Sequence, residues 1–169
     1  MTPTLTVPKS DTGSWWRTME VNLKGVYLMS KYFVPLLLST PEDLRTMVNI
    51  NSVAAHSLRP MASAYGTSKL AVLKLTEFLM VEVGSKGLLA YSVHPGAVLT
   101  ELAEKGMPPE TLLALSDNVN LAGDTVTWLS SERREWLAGR YISSTWDMNE
   151  LLQRKAEIVE GDKLKVRLV

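Results

Sequence analysis

Tyr65 and Lys69 are the residues whose types and spacing best suit chemistry. The spacing Tyr-x-x-x-Lys places a phenol and an ammonium group one turn apart on the same face of a helix. A phenol ordinarily loses its proton near pH ~10. Because a neighbouring cation favours the phenolate, the pair predicts a tyrosine that exchanges protons near neutrality. Ser52 lies thirteen residues before Tyr65, and its hydroxyl is predicted to donate to the same substrate oxygen.

Long helical patterns are predicted on either side of this serine. One helix is expected over residues 14–38, with a kink or an early end at Pro35 because proline removes a backbone N–H group. A second helix, over residues 64–83, carries the Tyr65–Lys69 pair and a stripe of leucines at helical spacing. Two further helices are expected over residues 119–129 and 149–160.

Short apolar runs between these helices predict strands at residues 47–50, 88–93 and 141–143. The tail, residues 164–169, alternates like an edge strand or an arm that binds a partner. Alternating helices and strands predict an α/β fold with a parallel sheet and right-handed crossovers.

The carboxyl ends of two predicted strands carry Ser52 and the sequence His94-Pro95-Gly96. Ligands of such sheets bind at these ends, so both are expected on one rim. The long connection over residues 97–117 follows a buried strand and is expected to be functional.

Length and composition predict one soluble, cytoplasmic domain over residues 14–169, preceded by a flexible arm over residues 1–13. The formal net charge is zero and no long basic cluster occurs, which argues against nucleic acid as a partner. Apolar runs are too short to span a bilayer, and the N-terminus does not resemble a signal peptide, so no membrane association is expected. There is no cysteine for a disulfide, a zinc site or a thiol nucleophile.

The remaining candidate residues favour structural roles. His56 and His94 could act as bases or metal ligands, but isolated histidines are more often structural, and no metal site is predicted. The five tryptophans are expected to fill the core and the helix packing: Trp15, Trp16, Trp128, Trp136 and Trp146.

A series of motifs in this order resembles the short-chain dehydrogenase/reductase family over about residues 10–150. The motifs are Asn22-x-x-Gly25, Ser52 thirteen residues before Tyr65, Tyr65-x-x-x-Lys69 and Pro95-Gly96-x-Val98-x-Thr100. The ending over residues 139–147, followed by Glu150-Leu151, resembles a fungal branch of that family found in secondary metabolism.

The resemblance implies a role for each matching residue. Tyr65 is expected to donate or accept the proton, and Lys69 to lower its pKa and hold the nicotinamide ribose. Ser52 is expected to orient the substrate carbonyl, and Asn22 to keep a water in a proton relay to Lys69. The implied cofactor is NADP or NAD, and the residues implied to contact it are Tyr65, Lys69, Pro95, Gly96, Val98 and Thr100.

The resemblance is incomplete, because this sequence contains no Gly-x-x-x-Gly-x-Gly, Gly-x-Gly-x-x-Gly or Asn-Asn-Ala-Gly motif. We therefore expect a Rossmann-like parallel sheet truncated to its last three strands with flanking long helices. Four earlier strands and the glycine-rich half of the dinucleotide site are expected to be missing. The two long helices are the usual subunit interface in the family, so a homo-oligomer is expected.

Three functions remain open on these grounds. The first is an NAD(P)-dependent oxidoreductase acting on a carbonyl or an alcohol of a small apolar molecule. The second is a cofactor-independent isomerase, dehydratase or cyclase that uses Tyr65, Lys69 and Ser52 for proton chemistry. The third is a truncated product without activity, or a partner subunit.

Overall fold

Three parallel strands form the sheet in the computed structural model, which describes residues 5–41, 45–107 and 109–168. The strands are β1 (Thr46–Ile50), β2 (Leu89–His94) and β3 (Tyr141–Ser143), in the order β1-β2-β3. Val48 pairs with Tyr91, and Val93 pairs with Ile142. The predicted α/β class, with its parallel sheet and long flanking helices, is confirmed.

A long helical run precedes β1. It consists of α1 (Thr12–Met19), a five-residue π-helical turn (Glu20–Lys24) and α2 (Gly25–Leu38). Asp11 caps its start by accepting a hydrogen bond from the Ser14 N–H group. The predicted helix is confirmed, but Pro35 does not end it, since α2 continues for three residues beyond the proline.

Helix α3 (Ser63–Val83) connects β1 to β2, as predicted. Between β2 and β3 lie α4 (Glu101–Gly106), α5 (Pro109–Leu112) and α6 (Asn120–Ser130). After β3 the chain forms α7 (Met148–Gln153) and α8 (Lys155–Glu160). The single terminal helix predicted over residues 149–160 is therefore two short helices that meet at Arg154.

The core lies on both faces of β2. Leu89, Tyr91 and Val93 point to one face and pack with buried residues that follow α5, namely Leu129, Leu137, Ile142, Leu151 and Ile158. Leu88 and Ala90 point to the other face and pack with Val34 and Leu79 of the long helices. This alternation explains why apolar residues stand at successive positions from Leu88 to Tyr91: both faces of the strand are covered.

Two interpretations of the periphery are wrong. The tail does not form a strand in residues 164–168, although the Leu164 carbonyl accepts a 2.8 Å hydrogen bond from the Tyr141 N–H group of β3. The alternative of an arm that binds a partner remains a prediction. Trp16 does not fill the core, since 59% of its surface is exposed.

The N-terminal arm remains a prediction. Residues 1–4 lie outside the described residues, residues 7–9 form a short 3-10 turn, and α1 begins at Thr12. Across the described ranges, no helix combines the length and apolar character needed to cross a membrane.

Candidate active site

Asn51 fixes the position of Ser52 at the carboxyl end of β1. Its N–H group donates to the Val93 carbonyl at 2.6 Å, and its Nδ2 donates to Ser92 Oγ at 2.6 Å. Its Oδ1 accepts a 2.8 Å hydrogen bond from the Ser52 N–H group. Because Asn51 is buried and bonded on three sides, the backbone of Ser52 is held against β2.

The Ser52 hydroxyl lies in a tight turn that packs on the start of α3. Its Oγ accepts a 3.2 Å hydrogen bond from the Ala54 N–H group, and among the described residues no acceptor takes its own hydrogen, which a ligand could therefore use. A Cβ atom on Gly66 would lie only 3.1 Å from the Ala54 carbonyl oxygen. The glycine thus lets this turn approach α3 one residue after Tyr65.

Tyr65 and Lys69 lie one turn apart on α3, as predicted. The Lys69 Nζ atom is 5.7 Å from the centre of the Tyr65 ring and donates a 3.0 Å hydrogen bond to the Ile50 carbonyl at the end of β1. Burial lowers the pKa of the Lys69 ammonium group. The Tyr65 side chain is 42% exposed, so a ligand at the rim can reach it.

Asn22 lies in the π-helical turn and contacts α3 through Ser68. Its Nδ2 donates to Ser68 Oγ at 3.0 Å, and Ser68 Oγ donates to the Tyr65 carbonyl at 2.7 Å. Single π turns inside helices often mark functional sites, because they redirect a side chain. The structure thus ties Asn22 to the helix that carries Tyr65, and its role in a water relay remains a prediction.

The turn after β2 lies on the same rim, because β1 and β2 are parallel neighbours. Pro95, Gly96 and Val98 are half-buried, and Gly96 has a φ of +94°, which favours glycine. Thr100 caps α4, since its Oγ1 accepts a 3.2 Å hydrogen bond from the Ala103 N–H group. Its hydroxyl hydrogen therefore stays available for another acceptor.

An aromatic cluster surrounds Tyr141, the first residue of β3, near the carboxyl end of β2. The Tyr141 ring stacks on His94, with ring centres 6.5 Å apart, and makes edge contacts with His56 at 4.8 Å and Trp146 at 5.9 Å. Burial raises the pKa of Tyr141 and lowers that of His94. The two histidines thus pack against one buried ring, as their predicted structural role requires.

Comparison with known proteins identifies the family. The family model described as short chain dehydrogenase matches residues 1–110. This chain belongs to the short-chain dehydrogenase family. It is 54% identical over 161 residues to the short chain dehydrogenase citE of Monascus ruber, and 45% identical over 163 residues to pigC of the same species.

The alignments cover 95% of this chain but only 54% of citE and 53% of pigC, so the chain spans about half the length of these relatives. Among solved structures, a gluconate 5-dehydrogenase from Burkholderia cenocepacia in complex with NADP and tartrate matches with a TM-score of 0.74 at 20% identity. That match covers 83% of this chain and 58% of the other. It shows that the parallel sheet and its flanking helices share the fold of the matched part of that structure.

Several residues that build this rim were missed by the sequence analysis. They are Asn51, Gly66, Ser68 and Asp117, whose Oδ2 atom accepts a 2.6 Å hydrogen bond from the Ala97 N–H group. The Asn-Ser pair at the end of a predicted strand could have drawn attention to Asn51. The other three act through contacts between distant segments, for which the local sequence carries no signal.

His94 provides a pH-dependent test of this geometry. Its pKa is lowered mainly by burial and also by His56 and Arg59, whereas the negative charge of Asp117 opposes the shift. We expect its imidazole to titrate below the ordinary value of about 6.5 in nuclear magnetic resonance spectra. Since the unfolded chain then binds the proton more readily, folding stability should fall as the pH drops through about 6.5 towards the folded-state pKa.

The control for this prediction is His94→Gln, which has no imidazole at this position. Its loss of stability between pH 7 and about pH 5, measured by urea unfolding, should be smaller than that of the unmodified protein. A His94 titration midpoint at or above 6.5 would contradict the buried, neutral imidazole.

Proposed function

We propose that this short-chain dehydrogenase is an NAD(P)-dependent oxidoreductase of fungal secondary metabolism, acting in the cytoplasm on a carbonyl or alcohol group of a small apolar molecule. The observation that carries the proposal is the exposed Tyr65 phenol beside the Lys69 ammonium group on the ligand-binding rim. The Ser52 hydroxyl on the same rim has a hydrogen to donate. The fungal relatives support the proposed setting.

The proton chemistry follows from these three side chains. In the reducing direction, the Tyr65 phenol donates its proton to the substrate oxygen as negative charge develops there. The Ser52 hydroxyl donates a hydrogen bond to the same oxygen and orients it. In the oxidising direction, the Tyr65 oxygen takes the proton from the alcohol.

Lys69 serves both Tyr65 and the cofactor. Its ammonium group lies 5.7 Å from the centre of the Tyr65 ring, where its positive charge attracts the negative charge left after proton donation. Its ammonium group has three donor hydrogens, and within the described residues one of them is bonded, to the Ile50 carbonyl. The other two suit the hydroxyl groups of a ribose.

The nicotinamide half of NADP or NAD fits the residues present. Lys69 offers donors, and the turn at Gly96 lies on the same rim because β1 and β2 are parallel neighbours. With Tyr65, Pro95, Val98 and Thr100, these residues would hold the nicotinamide and its ribose. The cofactor, when bound, supplies or accepts the hydride.

The pyrophosphate half of the cofactor has no matching motif here, since the sequence lacks a glycine-rich turn. Each missing charge-assisted contact to a phosphate is worth about 1.5–3 kcal/mol. We therefore propose that these 169 residues on their own bind the cofactor more weakly than a site with that motif does.

We also propose that the protein forms a homo-oligomer through its two long helices. Four apolar side chains on α2 are about half exposed or more and fall on one face: Met29, Tyr32, Phe33 and Leu36. Phe78 and Val81 of α3 are 54% and 82% exposed. Apolar faces of this kind on two helices favour association.

Tyr65→Phe tests the proposed proton transfer. It removes the phenolic hydroxyl and keeps the ring, so turnover of NADPH with cyclohexanone or ethyl acetoacetate should fall about 10²- to 10⁴-fold. The measurement is the loss of nicotinamide absorbance. The matched control is Tyr27→Phe on α2, where the exposed tyrosine lies outside the proposed site and turnover should not change.

Absence of NADPH turnover with every ketone tested would contradict the oxidoreductase proposal. Deuterium exchange at the carbon next to the ketone, without cofactor and dependent on Tyr65, would then support cofactor-independent proton chemistry. Loss of both activities would leave the alternative of a partner subunit.

Leu36→Glu tests the proposed oligomer. We expect the unmodified protein to run as a dimer or a larger assembly in size-exclusion chromatography with light scattering. A charge on the exposed face of α2 should dissociate it, because burying an unpaired carboxylate is costly. The control is Leu58→Glu, the same change at a 98% exposed leucine off the helices. A monomeric unmodified protein, or an unchanged mass for Leu36→Glu, would contradict the proposed interface.

A further inference from the structure

Asp117 joins the two ends of the long connection between β2 and α6. Its Oδ2 atom accepts a 2.6 Å hydrogen bond from the Ala97 N–H group. Its own N–H group donates a 3.1 Å hydrogen bond to the Ala97 carbonyl. This two-way bridge connects residues twenty positions apart and closes residues 97–117 into a loop with a narrow base.

Gly96 is shaped to fit this carboxylate. A Cβ atom at Gly96 would lie 3.0 Å from Asp117 Oδ2 and 3.2 Å from Asp117 Cβ. The φ of +94° also disfavours any other residue at this position. The absence of a side chain at Gly96 therefore lets Asp117 pack directly on the backbone of the turn.

The Asp117 carboxylate is not used to begin the next helix. The N-cap position of that helix is occupied by Val119, two residues after Asp117. Here α6 begins at Asn120, and the Asn118 Oδ1 atom accepts the 2.9 Å hydrogen bond from its N–H group. The Asp117 side chain instead turns back to Gly96 and Ala97, which indicates a role at the rim.

Among the described residues of the loop, Ala103 is buried, whereas Leu99, Met107 and Leu113 are 49%, 43% and 86% exposed. Exposed side chains of this kind do little to hold a segment closed, so the bridge at the base adds a restraint that they do not supply. The turn that this bridge restrains contains Pro95, Gly96 and Val98.

From these contacts we propose that Asp117 is a positioning residue that holds the Gly96–Ala97 turn in one conformation and thereby prepares it for the nicotinamide. The preparation for the nicotinamide rests on the proposed NAD(P)-dependent function, whereas the restraint of the turn does not. When the protein already holds a turn in its binding conformation, the ligand binds without the entropic cost of ordering that turn.

The test uses Asp117→Ala with two measurements on the complete chain. Amide hydrogen exchange without cofactor should become about ten- to hundredfold faster at Ala97 and in residues 97–117, because a charge-assisted hydrogen bond is lost. The dissociation constant for NADPH should rise by a similar factor. The conservative variant Asp117→Asn keeps an acceptor oxygen and should restore both values to within a few fold of the unmodified protein.

Two further variants complete the design. Gly96→Ala should accelerate amide hydrogen exchange as Asp117→Ala does, since the added methyl group displaces the Asp117 carboxylate. If Asp117→Ala does not fold, Gly96→Ala provides the test in its place. Asp124→Ala removes an exposed carboxylate seven residues further on, in α6, and should change neither measurement.

Unchanged exchange in Asp117→Ala and Gly96→Ala would overturn the proposal. Faster exchange with an unchanged NADPH dissociation constant would overturn the positioning role. If the unmodified protein binds no NADPH, the proposed function fails, and the exchange rates still decide whether Asp117 holds the turn.

Discussion

The hydrogen bonds of Asn51 are the constraint on which the rest of this site depends. Asn51 lies where β1 ends, and its backbone and side chain both bond to β2 while its Oδ1 holds the Ser52 N–H group. A buried polar group left unpaired costs about 1–3 kcal/mol, so this arrangement resists any shift of β1 along β2. One register therefore places Ser52, the Ile50 carbonyl that holds Lys69 and the turn after β2 on the same rim.

A second buried asparagine, Asn49, joins the sheet to α3. Its Nδ2 donates to Thr76 Oγ1 at 3.0 Å, and Thr76 in turn donates to the Val72 carbonyl. Together with the close approach of Gly66 to the Ala54 carbonyl, this contact fixes the position of α3 relative to β1. The position of Tyr65 on α3 therefore depends on these packing contacts as well as on its spacing to Lys69.

The sequence predicted the sheet, its three strands and the long helices because hydrophobic periodicity is a local signal that burial on both faces of β2 reinforces. It also placed Ser52 and Gly96 on one rim through the rule for parallel strands. It could not predict the bridge from Asp117 to Ala97 or the contact of Asn22 with Ser68, because each joins segments far apart in the chain. The tail was misread because its alternation is that of a strand, whereas its hydrogen bond to β3 is made by the single carbonyl of Leu164.

The most direct test of the account is a titration of the purified protein with NADPH and NADH, followed by nicotinamide fluorescence. We predict saturable binding with a Kd of about 0.1 to 1 mM, because the proposed site holds the nicotinamide half of the cofactor without a pyrophosphate motif. Lys69→Met should weaken this binding about tenfold through the loss of its donors, whereas Lys74→Met on the same helix should not. Absence of saturation at several times that concentration range, or equal affinity in Lys69→Met, would contradict the claim that this rim binds a nicotinamide cofactor.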